Sequence, residues 1–223
     1  RVVLRKLSLN EISRKLLHCL ALLFPVGILH GPRFLNVPQS TICIVIAAIL
    51  LCCLIIEYIR FDNSGLGSLF HRLFGWMLRD CERRNVTGAT HLMTGAFICS
   101  LIALESHSTA GAAFLGLALF IVGDASAALI GKAFGQTRIG QKTFAGALGC
   151  FVICSLACGF VFPRLPTFID AWGGELALPQ ILLLATVVTL LELFPLRFGS
   201  LTMNDNFHGP VLATLSALII RLI

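Results

Sequence analysis

Residues 37–59 read VPQSTICIVIAAILLCCLIIEYI, an almost unbroken apolar run. A helix needs about 20 predominantly apolar residues to cross the hydrocarbon core of a bilayer, and this run supplies them. The rest of the chain has the same character. Of 223 residues, 57% are hydrophobic and 13% charged, with a mean hydropathy of +0.91, a composition that excludes an ordinary water-soluble domain. Six further apolar stretches lie at about 16–30, 89–106, 109–131, 144–162, 177–196 and 207–222. The expectation is an all-α, polytopic membrane protein of about seven transmembrane helices, a single integral-membrane catalytic domain over residues 1–223. The first stretch follows Arg5, Lys6, Arg14 and Lys15, as a leader peptide would. No small-residue cleavage site follows FPVGILHGPR, however, so it is read as a span.

Basic residues fix the expected orientation through the positive-inside rule. Arg1, Arg5, Lys6, Arg14 and Lys15 precede the first span, and Arg60, Arg72, Arg79, Arg83 and Arg84 fill the second loop. Lys132, Arg138 and Lys142 lie in the fourth loop and Arg197 in the sixth, whereas the alternate loops hold only Arg33 and Arg164. The N-terminus is therefore expected inside. Within the second loop, Leu66, Leu69, Phe70, Leu73, Phe74, Met77 and Cys81 recur at helical spacing opposite His71, Arg72, Arg79, Asp80 and Arg83. That pattern predicts one interfacial amphipathic helix in the headgroup layer. Most of the nine cysteines fall inside apolar spans and behave as small buried hydrophobes; Cys150, Cys154 and Cys158 share one helix face suited to packing.

Ionisable groups within a membrane are costly and mark functional sites. Asp124 precedes the expected span end at Gly131 by seven residues, roughly 10 Å along a helix. Glu192 lies near the end of the sixth span under the same leaflet. Asn204, Asp205 and Asn206 offer oxygen ligands of the kind Mg²⁺ prefers, or one of them simply caps a helix. Arg83 and Arg84 either grip phosphates or serve only as the positive-inside signal; Thr87 and Gly88 either open a helix N-terminus to an anion or form a plain cap. Glu11, Arg14, Lys15 and His18 share one helix face. They pair with one another or line a headgroup site.

GQTRIGQKTFAG, residues 135–146, imitates a phosphate-binding P-loop, but Gln141 displaces Lys142 by one place and the segment follows an apolar span rather than a strand. It is not that motif. Gly123, Ala127, Gly131 and Gly135 recur every fourth residue, as in close helix packing, with Gly131 and Gly135 also placed to admit a phosphate against bare backbone. Lys142 supplies a cation beside them and Thr143 a hydroxyl.

Taken in order, EISRKLLH (11–18), RRNVTGAT (83–90), GDASAALIGKAFG (123–135), KTFAG (142–146), ELFP (192–195) and NDNFHGP (204–210) resemble the motifs of the CTP-dependent lipid-alcohol kinases. That family includes dolichol kinase, phytol kinase and the CTP-dependent diacylglycerol kinase. The resemblance covers almost the whole chain; some members carry Glu where this chain has Ala145. It implies transfer of the γ-phosphoryl group of CTP to the hydroxyl of a membrane lipid alcohol, giving a lipid phosphate and CDP.

On that basis Asp124, Lys142, Glu192 and Asp205 are the expected catalytic residues, with Mg²⁺ on Asp124 and Asp205. The nucleotide would meet Arg83, Arg84, Thr87, Gly88, Gly131, Gly135, Lys142, Thr143, Asn204 and Asn206, and the lipid would meet Glu11, Arg14, Lys15 and His18. The expected partners are CTP, a lipid alcohol and the bilayer, with no nucleic acid. The site would face the cytoplasm, in a bacterial inner membrane or the ER membrane. Two other readings stay open: a phosphatidate cytidylyltransferase, whose longer signature after the G-D pair is missing here, and an ion- or proton-coupled transporter, which would need polar residues through the full membrane depth.

Overall fold

The computed structural model describes residues 18–76, 78, 80–194, 196–198 and 201–223. Four helical stretches are long and apolar enough to cross a membrane: His18–Leu35, Gln39–Asp62, His107–Phe134 and Phe144–Arg164. Gly88–Ile102 and Leu178–Leu193 are shorter apolar helices. All seven apolar stretches of the sequence are helical where they are described, and the protein is an all-α membrane protein.

Within the first span, α1 (Leu23–Leu35) ends at Asn36, whose φ of 53° is the left-handed conformation that asparagine tolerates at a helix end. The chain turns at once into α2 (Gln39–Asp62), and Gln39 Nε2 ties the turn back by donating to the Ile28 carbonyl at 2.9 Å. Asn63 then caps α3 (Ser64–Phe74), its side-chain oxygen accepting the Gly65 and Leu66 N–H groups at 3.0 Å each. Leu66, Leu69, Leu73 and Phe74 on this helix face outwards, the side a headgroup-layer helix offers to acyl chains.

The amphipathic pattern ran on to Cys81, but α3 stops at Phe74 and a short 3₁₀ turn, Asp80–Arg83, follows. Met77 and Arg79 of that pattern lie outside the described residues. Two causes end the helix early. Gly75 loses more backbone freedom in a helix than any other residue, and Arg60 of α2 holds the carbonyls of Glu82 and Asn85 at 2.8 Å each, drawing the following segment back onto the bundle.

Thr87 caps α4 (Gly88–Ile102), and a reciprocal Ser106–Thr109 capping box starts α5 (His107–Phe134). α5 is the central helix. Every residue from Ala110 to Ile121 is buried, because the helix packs against α1, α4, α6 (Phe144–Leu156), α7 (Pro166–Trp172), α8 (Leu178–Leu193) and α9 (Asp205–Ile220). A helix surrounded on all sides must be apolar or small all round, and the sequence AGAAFLGLALFI is both. Where α5 crosses α9, a Cβ on Gly116 would lie 2.4 Å from the Thr214 backbone nitrogen, so only glycine permits this approach. Cys150, Cys154 and Cys158 are fully buried, the first two with their sulfurs against Gly123 of α5.

The short helix α7 had no counterpart in the apolar pattern. Pro166 sits at its start and Gly173, at φ 94°, ends it, and its Phe168 joins Phe114, Phe162 and Trp172 in an aromatic cluster. Among the described residues the only strands are two-residue ladders: β1 (Arg138–Ile139) with β2 (Lys142–Thr143), and β3 (Arg197–Phe198) with β4 (Leu201–Thr202), both antiparallel.

Candidate functional site

GQTRIGQKTFAG is neither a P-loop nor an open glycine loop. It folds as the β1–β2 hairpin, whose two-residue tip uses Gly140 at φ 60°, a conformation open to glycine without steric cost. Gly131 and Gly135 receive this hairpin. A Cβ on Gly131 would lie 2.6 Å from Thr143 Oγ1, and one on Gly135 would lie 2.7 Å from the same atom. Thr143 Oγ1 in turn accepts the Gly146 N–H at 3.1 Å as the N-cap of α6. The glycines therefore seat the hairpin against α5, and the hairpin holds Lys142 at the junction of four elements.

Lys142 Nζ lies 2.5 Å from Glu192 Oε1 of α8 and 3.6 Å from Asp205 Oδ2, the first residue of α9. Glu192 is only 4% exposed. Asp124 of α5 adds a third negative charge in the field of the same ammonium. Burial alone would lower the Lys142 pKa, but Glu192 beside it, then Asp205 and Asp124, outweigh that effect and hold it above the ordinary lysine value. Lys142 is thus protonated throughout the neutral range, and its electrostatic contribution is lost only as pH rises through that raised pKa. His208 Nε2 stands 3.9 Å from Asp205 Oδ1.

α5 runs three residues beyond the expected span end, which puts Asp124 about 15 Å from the helix terminus. On its other side Asp124 Oδ2 meets His18 Nε2 at 3.1 Å. His18 is thereby brought to the cluster; Glu11, Arg14 and Lys15, which share its motif, lie outside the described residues. Asn204 caps α9, its side-chain oxygen accepting the Asn206 N–H at 3.0 Å, and Asn206 Nδ2 donates to the Gly88 carbonyl at 3.1 Å, joining α9 to the start of α4. The Thr87 hydroxyl caps α4, and the Gly88 N–H donates to Glu82 Oε1 at 2.8 Å. Arg83 and Arg84 are exposed beside this junction.

Two side chains that sequence reasoning passed over organise that junction. Glu57 and Arg60 of α2 form a buried ion pair, with 7% and 1% of their side chains exposed. Glu57 Oε1 accepts the Thr87 N–H at 2.8 Å and the Thr90 hydroxyl at 3.1 Å, while Arg60 holds the Glu82 and Asn85 carbonyls and lies 4.4 Å from the Phe61 ring centroid. A glutamate inside the run at 37–59, three residues before an arginine, was a legible signal. Glu57→Ala is expected to cost about 3–5 kcal/mol, since it strands a buried guanidinium. Thermal unfolding in detergent measures this, and a melting temperature equal to that of wild type would refute the assignment.

Among the described residues no group of three or more His, Cys, Asp or Glu side chains is assembled as a ready metal site. Mg²⁺ in phosphoryl-transfer sites is characteristically held by one or two carboxylates together with substrate phosphates. Asp124 and Asp205 would make a donor set of that kind, and Asp205 Oδ1 is buried with no hydrogen-bond partner among the described residues. The residues therefore fit the ion.

A cavity of about 840 Å³ opens beside the cluster between α1, α2, α3 and α4. His18, Asp124, Glu57 and Asn206 stand at its polar end, and apolar side chains of the first span, α2, α3 and α4 line its wall.

Fold and site together define an all-α membrane protein in which acidic and basic side chains from separate helices meet beside an apolar cavity. The chain is similar to dolichol kinase of Saccharomyces cerevisiae, 31% identical over 207 residues, covering 92% of this chain and 36% of the yeast protein. It is also similar to an uncharacterized protein of Rickettsia prowazekii, 26% identical over 145 residues, covering 64% of this chain and 66% of that protein. It thus spans just under two thirds of one relative and about a third of the other. No protein-family profile and no solved structure matches the chain.

Proposed function

We propose that this protein is a lipid kinase that transfers the γ-phosphoryl group of CTP to the hydroxyl of a membrane lipid alcohol. The observation that carries the reading is the meeting of Asp124, Lys142, Glu192 and Asp205 from α5, β2, α8 and α9 around one ammonium group. The similarity to a kinase of dolichol over most of the chain supports the reaction class. The choice of CTP rests on the six-motif resemblance.

Phosphoryl transfer asks a protein mainly for positioning and neutralisation of charge. Lys142 has three N–H donors; Glu192 and Asp205 orient the ammonium toward the transferred group, where it offsets developing charge. Asp124 and Asp205 would hold Mg²⁺, which when bound neutralises and orients the phosphate oxygens. The acceptor hydroxyl arrives at the polar end of the cavity, where Asp124 and His18 orient it and take its proton. Its oxygen bonds to the γ-phosphorus as the bond to the β-phosphate oxygen breaks, and CDP leaves. Glu192 lies outside the cavity lining and serves Lys142, so Asp124 is the carboxylate assigned to the hydroxyl. The α5 C-terminus, the α6 N-terminus and the α9 N-terminus share one side of the bundle, and the distribution of Lys and Arg supports a cytoplasmic position for that side.

The test is direct. Purified protein in detergent with CTP, Mg²⁺ and a mixture of lipid alcohols should form lipid phosphate and CDP in equal amounts. Release of pyrophosphate with a CDP-linked lipid would assign cytidylyl transfer instead, and absence of both products would refute the kinase reading.

A further inference from the structure

We propose that the cavity between α1 and α2 seats the hydrocarbon chain of the acceptor alcohol and that Gly27 limits how bulky that chain can be at its far end. This rests on the kinase reading above and adds the acceptor's shape to it.

The polarity of the cavity sets the direction of its occupant. From His18 to Gly27 along the first span is nine residues, about 14 Å, roughly half of the ~30 Å hydrocarbon core. Over that length the wall is made by residues such as Phe24, Ile46 and Ile49. Ile42, which lines the cavity, packs against Gly31, a Cβ on which would meet Ile42 Cδ1 at 2.9 Å. At the side it opens to the lipid-facing surface: Leu23, Val45 and Ile56 line it and are 69%, 49% and 50% exposed. An acyl or alkyl chain can therefore enter from the bilayer without leaving an apolar environment.

The polar end receives the head. His18, Asp124 and Asn206 stand there, so a hydroxyl reaches groups that can accept from it and donate to it.

Gly27 supplies the gauge. It lines the cavity, and a Cβ placed on it meets no atom within 4 Å, so a side chain there would project into empty space rather than into the fold. Gly27→Phe should fill the far end and leave the Asp124 and Lys142 cluster untouched.

The experiment uses the full chain in mixed micelles, with saturated primary alcohols of graded length and a long-chain primary alcohol carrying a photoreactive diazirine at its tail. Labelled peptides are mapped by mass spectrometry. The expected result is label on the segments around Gly27 and Ile46, and in Gly27→Phe a loss of at least about tenfold in kcat/KM for the longest alcohol, equivalent to roughly two excluded methylenes, with the shortest unaffected. Val45→Trp, on the opposite wall, should act in the same direction and covers the case in which Gly27→Phe does not fold. Label spread evenly over outward-facing residues such as Phe34 and Leu222, or a uniform loss for every alcohol in both variants, would overturn the proposal. If no alcohol is phosphorylated while the label still concentrates at Gly27 and Ile46, the kinase reading falls and the cavity assignment stands.

Discussion

Lys142→Met should reduce phosphoryl transfer about 10²–10³-fold, the loss that follows removal of one preorganised charge-stabilising donor. The same substitution strands Glu192, which is 4% exposed and hydrogen-bonded to the lysine. Breaking a fully buried pair costs about 3–5 kcal/mol; here about 31% of the Lys142 side chain meets solvent, so the lower end of that range is expected. A fall in both activity and stability would therefore leave two explanations standing. Pairing Lys142→Met with Glu192→Gln separates them. The double variant removes the stranded charge and should recover most of the melting temperature without recovering turnover. Recovery of both would show that Lys142 only neutralises Glu192 and takes no part in the reaction.

Asp124→Asn is the second decisive change. The amide is nearly the same size, so the packing of α5 should persist, but the side chain loses its charge, the proposed capacity to take the hydroxyl proton and the carboxylate that meets His18 Nε2. A drop of about 10²–10⁴ in kcat is expected for loss of a positioned general base. Because the residue is also one of the two carboxylates proposed to hold Mg²⁺ on the nucleotide, the fall in kcat should come with a rise in the KM for CTP, and single-turnover measurements with radiolabelled CTP would read both. Turnover within tenfold of wild type would remove Asp124 from the chemistry.

The motifs differ in how much they disclosed. Asp124, Glu192 and Lys142 were conspicuous because a charge in or beside an apolar span stands out against its surroundings. Thr87 and Asn204 were ambiguous between capping and ligand binding, and Thr143 read only as a hydroxyl for the nucleotide; in the structure each makes a helix cap. Gly131 and Gly135 read as better placed to admit a phosphate than to pack; their open sides are occupied by Thr143. Glu57 and Arg60 went unnoticed for the opposite reason. In sequence Arg60 looked like one more positive-inside residue, and only the return of the 82–87 segment onto α2 gives it carbonyls to hold. The amphipathic helix was correct in kind and too long in extent, since periodicity does not register the pull of a distant anchor on the chain beyond Gly75.

Composition and apolar run length were enough to determine an all-α membrane protein, because the bilayer imposes a local rule: backbone groups must be satisfied within each segment, and about 20 apolar residues suffice to cross. The choice of partners across helices obeys no local rule. That Lys142 meets Glu192 fifty residues later, that Asp124 meets His18, and that α1 and α2 part to leave a chain-sized cavity depend on how helices pack around α5. Such contacts come from side-chain shape at long sequence separation, and only the tertiary structure decides them.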